Sequence, residues 1–131
     1  MKLLDANVLI HYLKGEPSIV ERLRRGAAGE LAVPCIAVYE LEYGTIRSGG
    51  TWRRKHLDAV LAGLIHVPFD SDAAMAAARI RFDLETRGAS IGPLDLLIAG
   101  TALSRGATLV TNNVQEFSRV PGLHVVDWKT A

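Results

Sequence analysis

The sequence opens with Lys2-Leu3-Leu4-Asp5-Ala6-Asn7-Val8-Leu9-Ile10, and this stretch decides how the rest of the chain is interpreted. Its apolar start predicts a buried strand over residues 2–4, and the pattern that follows predicts a helix over about 7–14. Asp5 stands between these two elements, at the carboxyl end of the strand. An aspartate in that position is either the N-cap of the helix or an acid of a functional site.

The same succession of short strands and longer helices continues along the chain, and no linker or repeat divides it. We predict strands at 2–4, 31–33, 65–67, 108–110 and 123–126. We predict helices at about 7–14, 17–25, 37–46, 51–62, 71–86 and 93–104. Apolar strands that alternate with helices are typical of a parallel sheet covered on both faces. The prediction is therefore one α/β domain over residues 1–131, with three α/β/α layers and a central parallel sheet of four to five strands.

Prolines and small polar residues set the expected ends of these elements. Pro34 is expected to stop the second strand, and Pro93 suits the first position of a helix. Thr51 is a candidate cap for the helix that follows it. Asp70 or Ser71 is the corresponding candidate for the long helix that ends near Thr86.

The composition indicates a core and a surplus of apolar surface. Hydrophobic residues occupy 49% of the 131 positions, which is more than a small monomer usually needs. Soluble monomers rarely expose large apolar patches, so we expect part of the surface to be covered by another subunit or a partner. The formal net charge is +1, which excludes the global positive field that drives non-specific binding of nucleic acids.

The single cysteine, Cys35, excludes an internal disulfide and a cysteine-based zinc cluster. It lies in the apolar run 33–38, where we expect it to act as a small buried hydrophobic residue. No segment reaches the roughly 18 apolar residues that a transmembrane helix requires, and the N-terminus lacks the apolar region of a signal peptide. We therefore expect a cytoplasmic protein without a membrane contact.

We predict that three acids lie at three separate strand–helix junctions. Asp5 comes directly after the first strand, Glu40 lies about one turn inside the helix after the second strand, and Asp95 is two residues after Pro93. Each has a simple structural explanation as a cap, a solvent-facing acid or a first-turn acid. In a parallel sheet, however, sites form beyond the carboxyl ends of the strands, where we expect the three acids to converge.

Convergence of three carboxylates requires a cation. Carboxylates about 5 Å apart repel one another by roughly 3 kcal/mol per pair at an effective dielectric constant near 20. Oxygen ligands without histidine or cysteine select a hard ion, and magnesium or manganese is the expected one. Such an ion would activate water for attack on a phosphate.

Four stretches around these acids, in the same order and spacing, resemble the motifs of PIN domains and of the VapC-type toxins of bacterial toxin–antitoxin pairs. They are Leu4–Ile10, Ala37–Leu41, Ile91–Ala99 and Leu109–Phe117. The first is similar to the family's opening Leu-Asp-Thr-Asn-Val-Leu-Ile, and the second places a Glu before a Leu on a helix. The ending Pro121-Gly122-Leu123 with Asp127-Trp128 is also typical, so the likeness covers the whole chain.

The resemblance implies a PIN-like fold and a magnesium-dependent endoribonuclease, with manganese as a substitute. It implies RNA as the substrate, a cut that leaves a 5′-phosphate and a 3′-hydroxyl, and a small cognate antitoxin as partner. Together with the apolar surplus it implies a homodimer. Asp5 and Asp95 would be the principal metal ligands, and Glu40 would be a third ligand or a group that orients water.

This sequence departs from the family pattern at two places. Ala6 replaces the usual Thr or Ser beside the first acid, and Asn113 stands where many members carry an acid. We expect Asn113 to contact the ion only through water, with Glu116, one helical turn on, as a water-mediated ligand. Thr111 follows the fourth strand, where its hydroxyl either holds a metal-bound water or is a plain strand-end group.

Clustered arginines are the candidate contacts to the RNA backbone, since guanidinium groups suit bidentate contacts to phosphate. The alternative is that they lie on solvated helix faces. The candidates are Arg22, Arg24, Arg25, Arg47, Arg53 and Arg54.

Two other functions compete with this interpretation. An aspartyl phosphotransferase also begins with an aspartate at a strand end, but it would need a second aspartate at position 7, which is Asn. A non-catalytic PIN-like module that binds RNA or protein would be expected to have lost acids, whereas Asp5, Glu40 and Asp95 are all present. A cleavage assay distinguishes this module from the nuclease.

Overall fold

A five-stranded, fully parallel sheet organises the chain in the computed structural model, which describes residues 1–26 and 29–129. The spatial order of its strands is β3-β2-β1-β4-β5. The strands are β1 (Lys2–Leu4), β2 (Leu31–Pro34), β3 (Ile65–Val67), β4 (Thr108–Val110) and β5 (His124–Val126). The predicted α/β class with a central parallel sheet of four to five strands is confirmed.

Helices follow the strands and flank the sheet. They are α1 (Ala6–Leu13), α2 (Pro17–Arg25), α3 (Cys35–Ser48), α4 (Thr51–Ala62), α5 (Ser71–Thr86), α6 (Pro93–Ser104) and α7 (Val114–Phe117). The bounds of α2, α4 and α6 agree with the sequence prediction, and the short α7 had not been assigned. None of the helices in the described part of the chain combines the length and the hydrophobicity needed to cross a bilayer.

The central strand brings the beginning of the chain against its end. β1 pairs with β2 on one side and with β4 on the other, and Leu4 is in register with Val110. The backbone N–H of Asp5 donates to the carbonyl oxygen of Val110 at 2.9 Å, which extends this pairing past the end of β1. Asp5 and Thr111 therefore emerge side by side at the carboxyl edge of the sheet.

The structure corrects two local predictions on element ends and decides between the two candidates of a third. β2 includes Pro34, which pairs with Val67 as the last residue of the strand, where a missing N–H costs little. Thr51 is the first residue of α4 and not its cap, because Gly50 occupies the N-cap position without a side-chain bond. Asp70 caps α5, with its carboxylate accepting the N–H of Ala73 at 3.0 Å.

The five strands are not equally buried, although their apolar sequences predict buried strands. The inner strand β2 is buried throughout, whereas Ile65 and His66 of β3 and His124 of β5 are exposed because these strands form the edges of the sheet. Cys35 was expected to be buried and is only half-buried, since it is the first residue of α3 and not part of a strand.

Helices α5 and α6 pack with their backbones in close contact at Gly100. A Cβ atom at this position would lie 2.7 Å from the carbonyl oxygen of Ala73 and 2.7 Å from the Cβ of Ala77. Gly100 and Ala77 are both buried. Small residues on both helices thus allow an approach that fixes α6, which carries Asp95, against α5.

Candidate active site

Asp5 is fixed by both of its carboxylate oxygens. Oδ1 accepts the N–H of Ala6 at 2.8 Å, which makes Asp5 the N-cap of α1, and Oδ2 accepts the hydroxyl of Thr111 at 2.7 Å. The residue is 3% exposed, and burial raises its pKa against the opposing effect of these two hydrogen bonds. The capping role and the site role considered from the sequence are therefore compatible.

Thr111 connects the first acid to the fourth motif. Its hydroxyl oxygen donates to Asp5 and accepts the backbone N–H of Asn113 at 3.0 Å. The side-chain amide of Asn113 donates in turn to Oε2 of Glu116 in α7. The side chain of Asn113 is thus hydrogen-bonded to the carboxylate of Glu116.

Glu116 is held at its second oxygen by the chain segment that precedes α6. Oε1 accepts the backbone N–H of Gly92 at 2.8 Å. Burial raises the pKa of Glu116, but the N–H of Gly92 and the hydrogen bonds from Asp95 and Asn113 outweigh it, so the pKa lies below its usual value. We call the unit of Asn113, Glu116 and the Gly92 N–H the glutamate clamp.

Asp95 meets the glutamate clamp directly. Burial raises its pKa to about 7, and the hydrogen bond to Glu116 and the negative charges of Glu116, Asp5 and Glu40 contribute to the rise. Below about pH 7 the protonated carboxyl group of Asp95 can therefore donate to the ionised Glu116. A Cβ atom on Gly92 would lie 3.4 Å from Oδ2 of Asp95 and 3.8 Å from Oε1 of Glu116, so the glycine leaves the space between the two carboxylates open.

The position of Asp95 in the fold differs from the prediction. Helix α6 follows α5 and not a strand, so Asp95 does not belong to a strand–helix junction. It reaches the other acids because Gly92, at the N-cap of α6, is bonded to Glu116. In the sequence, Gly92-Pro93 predicts only the start of a helix. No sequence pattern predicts the hydrogen bond from the N–H of Gly92 to Glu116.

Glu40 completes the group from α3. It is half-buried, and its Oε1 is buried without a hydrogen-bond partner. Burial raises its pKa, and the charge of Asp5 raises it further. Asp95 is thus close enough to Asp5, Glu40 and Glu116 for the negative charges of all three to raise its pKa.

These four carboxylates have the donor chemistry of a hard-cation site. All the candidate ligands are oxygens, and one of them is an orphaned buried oxygen, as expected where a divalent ion belongs. Within residues 1–26 and 29–129, no three His, Cys, Asp or Glu side chains already stand in the geometry of a metal site.

The six candidate arginines are dispersed. Arg22 and Arg25 line a shallow depression with Lys2, the first residue of β1, and so lie at the opposite end of this strand from Asp5. Arg25 pairs with Glu21 at 3.3 Å, and Arg24 on the same helix is exposed. The sequence cluster on α2 is therefore not part of the acidic site.

The second cluster lies on the hairpin of α3 and α4, the same α3 that carries Glu40. Arg47 lies over the ring of Tyr43 at 5.8 Å, and Arg54 is paired with Glu42 and Asp58 at 2.8 and 2.9 Å. Arg53 makes a different contact, in which its Nε donates to the hydroxyl of Thr45 at 3.1 Å.

Comparison with known proteins identifies the family of this chain. The family model of the PIN domain matches residues 2–123. The chain is 35% identical over 130 residues to the tRNA(fMet)-specific endonuclease VapC of Salmonella typhimurium, and the match covers 96% of each protein. It is 34% identical to ribonuclease VapC2 of Rickettsia felis, again over 96% of each.

Solved structures give the same result. The chain superposes on the structure of VapBC2 from Rickettsia felis bound to a promoter DNA fragment with a TM-score of 0.88 and 32% identity, over 97% of this chain and 98% of that one. For DNA-bound VapBC from Salmonella typhimurium the TM-score is 0.85 and the identity 34%, over 97% of both chains. The chain therefore belongs to the PIN-domain family, within its VapC ribonucleases.

Proposed function

We propose that this protein is a magnesium-dependent endoribonuclease and the toxin of a toxin–antitoxin pair, with manganese able to replace magnesium. The observation that carries the proposal is the continuous set of hydrogen bonds from Asp5 through Thr111 and Asn113 to Glu116, beside which Asp95 lies at Gly92. An unpaired, buried carboxylate oxygen such as Oε1 of Glu40 is costly unless a cation satisfies it. The names of the relatives support RNA as the substrate, and the proposal places this activity in the cytoplasm.

Asp5, Glu40 and Asp95 would hold the ion in this mechanism. A hard dication supplies acidification of a bound water and stabilisation of the charge that develops on the phosphate. Thr111 keeps the carboxylate of Asp5 in one orientation through its hydroxyl. Glu116, fixed by Asn113 and Gly92, holds the proton of Asp95 at their shared hydrogen bond until the site is loaded.

The test of this function is RNA cleavage by the purified protein with magnesium, with manganese and with a chelator. We expect cleavage with either ion, none with the chelator, and products with 5′-phosphate ends. Asp95→Asn should remove most of the activity, whereas the control Asp72→Asn, at an exposed acid of α5, should retain it. Cleavage that continues unchanged in excess chelator would contradict the proposal.

An antitoxin and a second copy of the chain are the proposed partners. The solved relatives are VapBC complexes, which supports a small cognate antitoxin for this chain. Large apolar side chains remain exposed on α3 and α5, among them Ile46 and Phe82 at 71% each, and this surface supports a homodimer. Light scattering should give about twice the 14.2 kDa mass of one chain. A monomer at high micromolar concentration would contradict the dimer and leave the nuclease proposal intact.

A further inference from the structure

Arg53 differs from the other arginines of the α3–α4 hairpin in being fixed without being neutralised. Its Nε donates to Oγ1 of Thr45, a residue that is 3% exposed. In residues 1–26 and 29–129 no carboxylate pairs with Arg53, whereas the adjacent Arg54 contacts both Glu42 and Asp58. A neutral hydroxyl thus orients a half-buried guanidinium whose charge is not compensated.

The guanidinium of Arg53 lies against a bare stretch of α3. A Cβ atom on Gly44 would lie 3.2 Å from Nη2 and 4.0 Å from Cζ of Arg53. Any larger residue at position 44 would have to displace the guanidinium. Because Gly44 has no side chain, there is room beside it for the guanidinium of Arg53, which is hydrogen-bonded to Thr45.

This location is one helical turn from the acidic site. Gly44 follows Glu40 by four residues, so the two positions lie on the same face of α3, about one turn apart. Arg53 does not act as the counterion of Glu40, since Oε1 of that residue has no hydrogen-bond partner. The Nη groups of Arg53 are thus fixed donors beside the site, with no anion of the described chain bound to them.

The residue before Arg53 is an exposed tryptophan, a residue type that favours binding of a nucleic acid. Trp52, directly before Arg53, is 57% exposed and stacks on His56 with ring centroids 4.1 Å apart and planes 23° from parallel. Exposed aromatic rings beside cations are the typical means of binding single-stranded nucleic acids, in which the ring contacts a base and the cation a phosphate.

We propose that Arg53, held by Thr45 over Gly44, binds a backbone phosphate of the RNA next to the one that is cut. The inference rests on the proposed ribonuclease function and makes Arg53 a positioning residue of that same site. A planar guanidinium held at Nε presents its remaining N–H groups in a fixed fork, which matches phosphate oxygens. Of the other five candidate arginines, Arg54 alone also lies on α4, and its guanidinium is already paired with Glu42 and Asp58.

The experiment measures RNA binding separately from cleavage. A fluorescein-labelled, single-stranded RNA of mixed sequence is titrated with the Asp95→Asn protein in magnesium, alone and combined with Arg53→Gln, Arg53→Lys or Thr45→Val. Arg79→Gln is the matched control, because it removes one exposed guanidinium of α5 and changes the net charge equally. Thermal melts of each protein establish that it is folded.

We expect Arg53→Gln to weaken RNA binding about tenfold and to lower the slope of log K against log salt by about 0.7, the value for one phosphate contact to a single strand. Arg53→Lys should restore part of the affinity, Thr45→Val should lose part of it, and Arg79→Gln should lose none. In the active protein Arg53→Gln should raise KM much more than it lowers kcat.

Equal RNA affinity and salt slope for Arg53→Gln and Arg79→Gln would overturn the role of Arg53, even if the wild type cleaves RNA. Loss of antitoxin binding in Arg53→Gln with unchanged RNA binding would overturn it in favour of a protein contact. Failure of the wild type to cleave RNA would instead contradict the proposed function. The binding titration does not depend on cleavage, so the two failures are distinguishable.

Discussion

At the scale of single residues, the site depends on neutral groups that hold charged ones. Thr111 holds Asp5, and the amide of Asn113 together with the N–H of Gly92 holds Glu116. The sequence indicated Asn113 as a contact to metal-bound water. In the structure its amide is instead hydrogen-bonded to the carboxylate of Glu116, one turn further on.

The glutamate clamp gives the first prediction at this scale. Asn113→Ala and Glu116→Gln should each reduce magnesium-dependent cleavage about 10- to 100-fold, the range typical of groups that orient metal ligands. Asp95→Ala should abolish cleavage, because it removes a proposed ligand. Rates measured across a magnesium titration distinguish the two cases.

Gln115→Ala is the matched control for the clamp, since Gln115 is an exposed residue of the same short helix. Wild-type rates for both Asn113→Ala and Glu116→Gln would mean that the clamp is structural only. The site would then consist of Asp5, Glu40 and Asp95.

At the scale of elements, α6 is positioned by its contact with α5. The space at Gly100 is closed by Ala73 and Ala77, so a methyl group there must push the two helices apart. Because α6 carries Asp95 close to its N-terminus, a displaced α6 also moves a proposed ligand.

Gly100→Ala should therefore destabilise the fold by about 1–3 kcal/mol, as over-packing of a core typically does, in spite of the better helix propensity of alanine. Urea unfolding measures the change. The control is Gly63→Ala, since the closest atom to a Cβ there is the carbonyl oxygen of Val60 at an ordinary 3.7 Å. A Gly100→Ala protein as stable as the wild type would show that the two helices adjust without cost.

At the scale of the whole molecule, the acidic site opposes the stability of the metal-free fold. The pKa of Asp95 is raised to about 7, so the folded protein binds a proton that the unfolded chain has already released at lower pH. The contribution of Asp95 to metal-free stability should therefore be greatest in acid and fall as pH rises from about 4 to 7. Magnesium should reverse the loss by binding only to the folded protein.

Thermal melts of the wild type and of Asp95→Asn in chelator at pH 5 and pH 8 measure this effect. We expect the variant to melt higher than the wild type at pH 8, to differ less at pH 5, and to gain less from magnesium. Asp95 is preferable to Asp5 for this test, because Asp5 also caps α1. Equal pH dependence and equal magnesium shifts in both proteins would contradict the prediction.

Particular residues show which parts of the fold and of the site could be predicted from the sequence. The alternation of apolar strands and helices predicted the parallel sheet, and the strand end marked Asp5, because both are local consequences of the chain. The bond from the Gly92 N–H to Glu116 joins residues 24 positions apart, and the contact of Arg53 with Gly44 crosses a helical hairpin. Such contacts depend on packing, for which a single sequence contains no periodic signal.

The bond between Asp5 and Thr111 has a consequence for the synthesis of the protein. It joins residues 106 positions apart, and the glutamate clamp lies later still in the chain. Asp5 is thus synthesised 106 residues before Thr111, which orients it. A nascent chain that has not yet been extended past residue 116 has no assembled site. In the proposed nuclease, a nascent chain shorter than this cannot yet cut RNA.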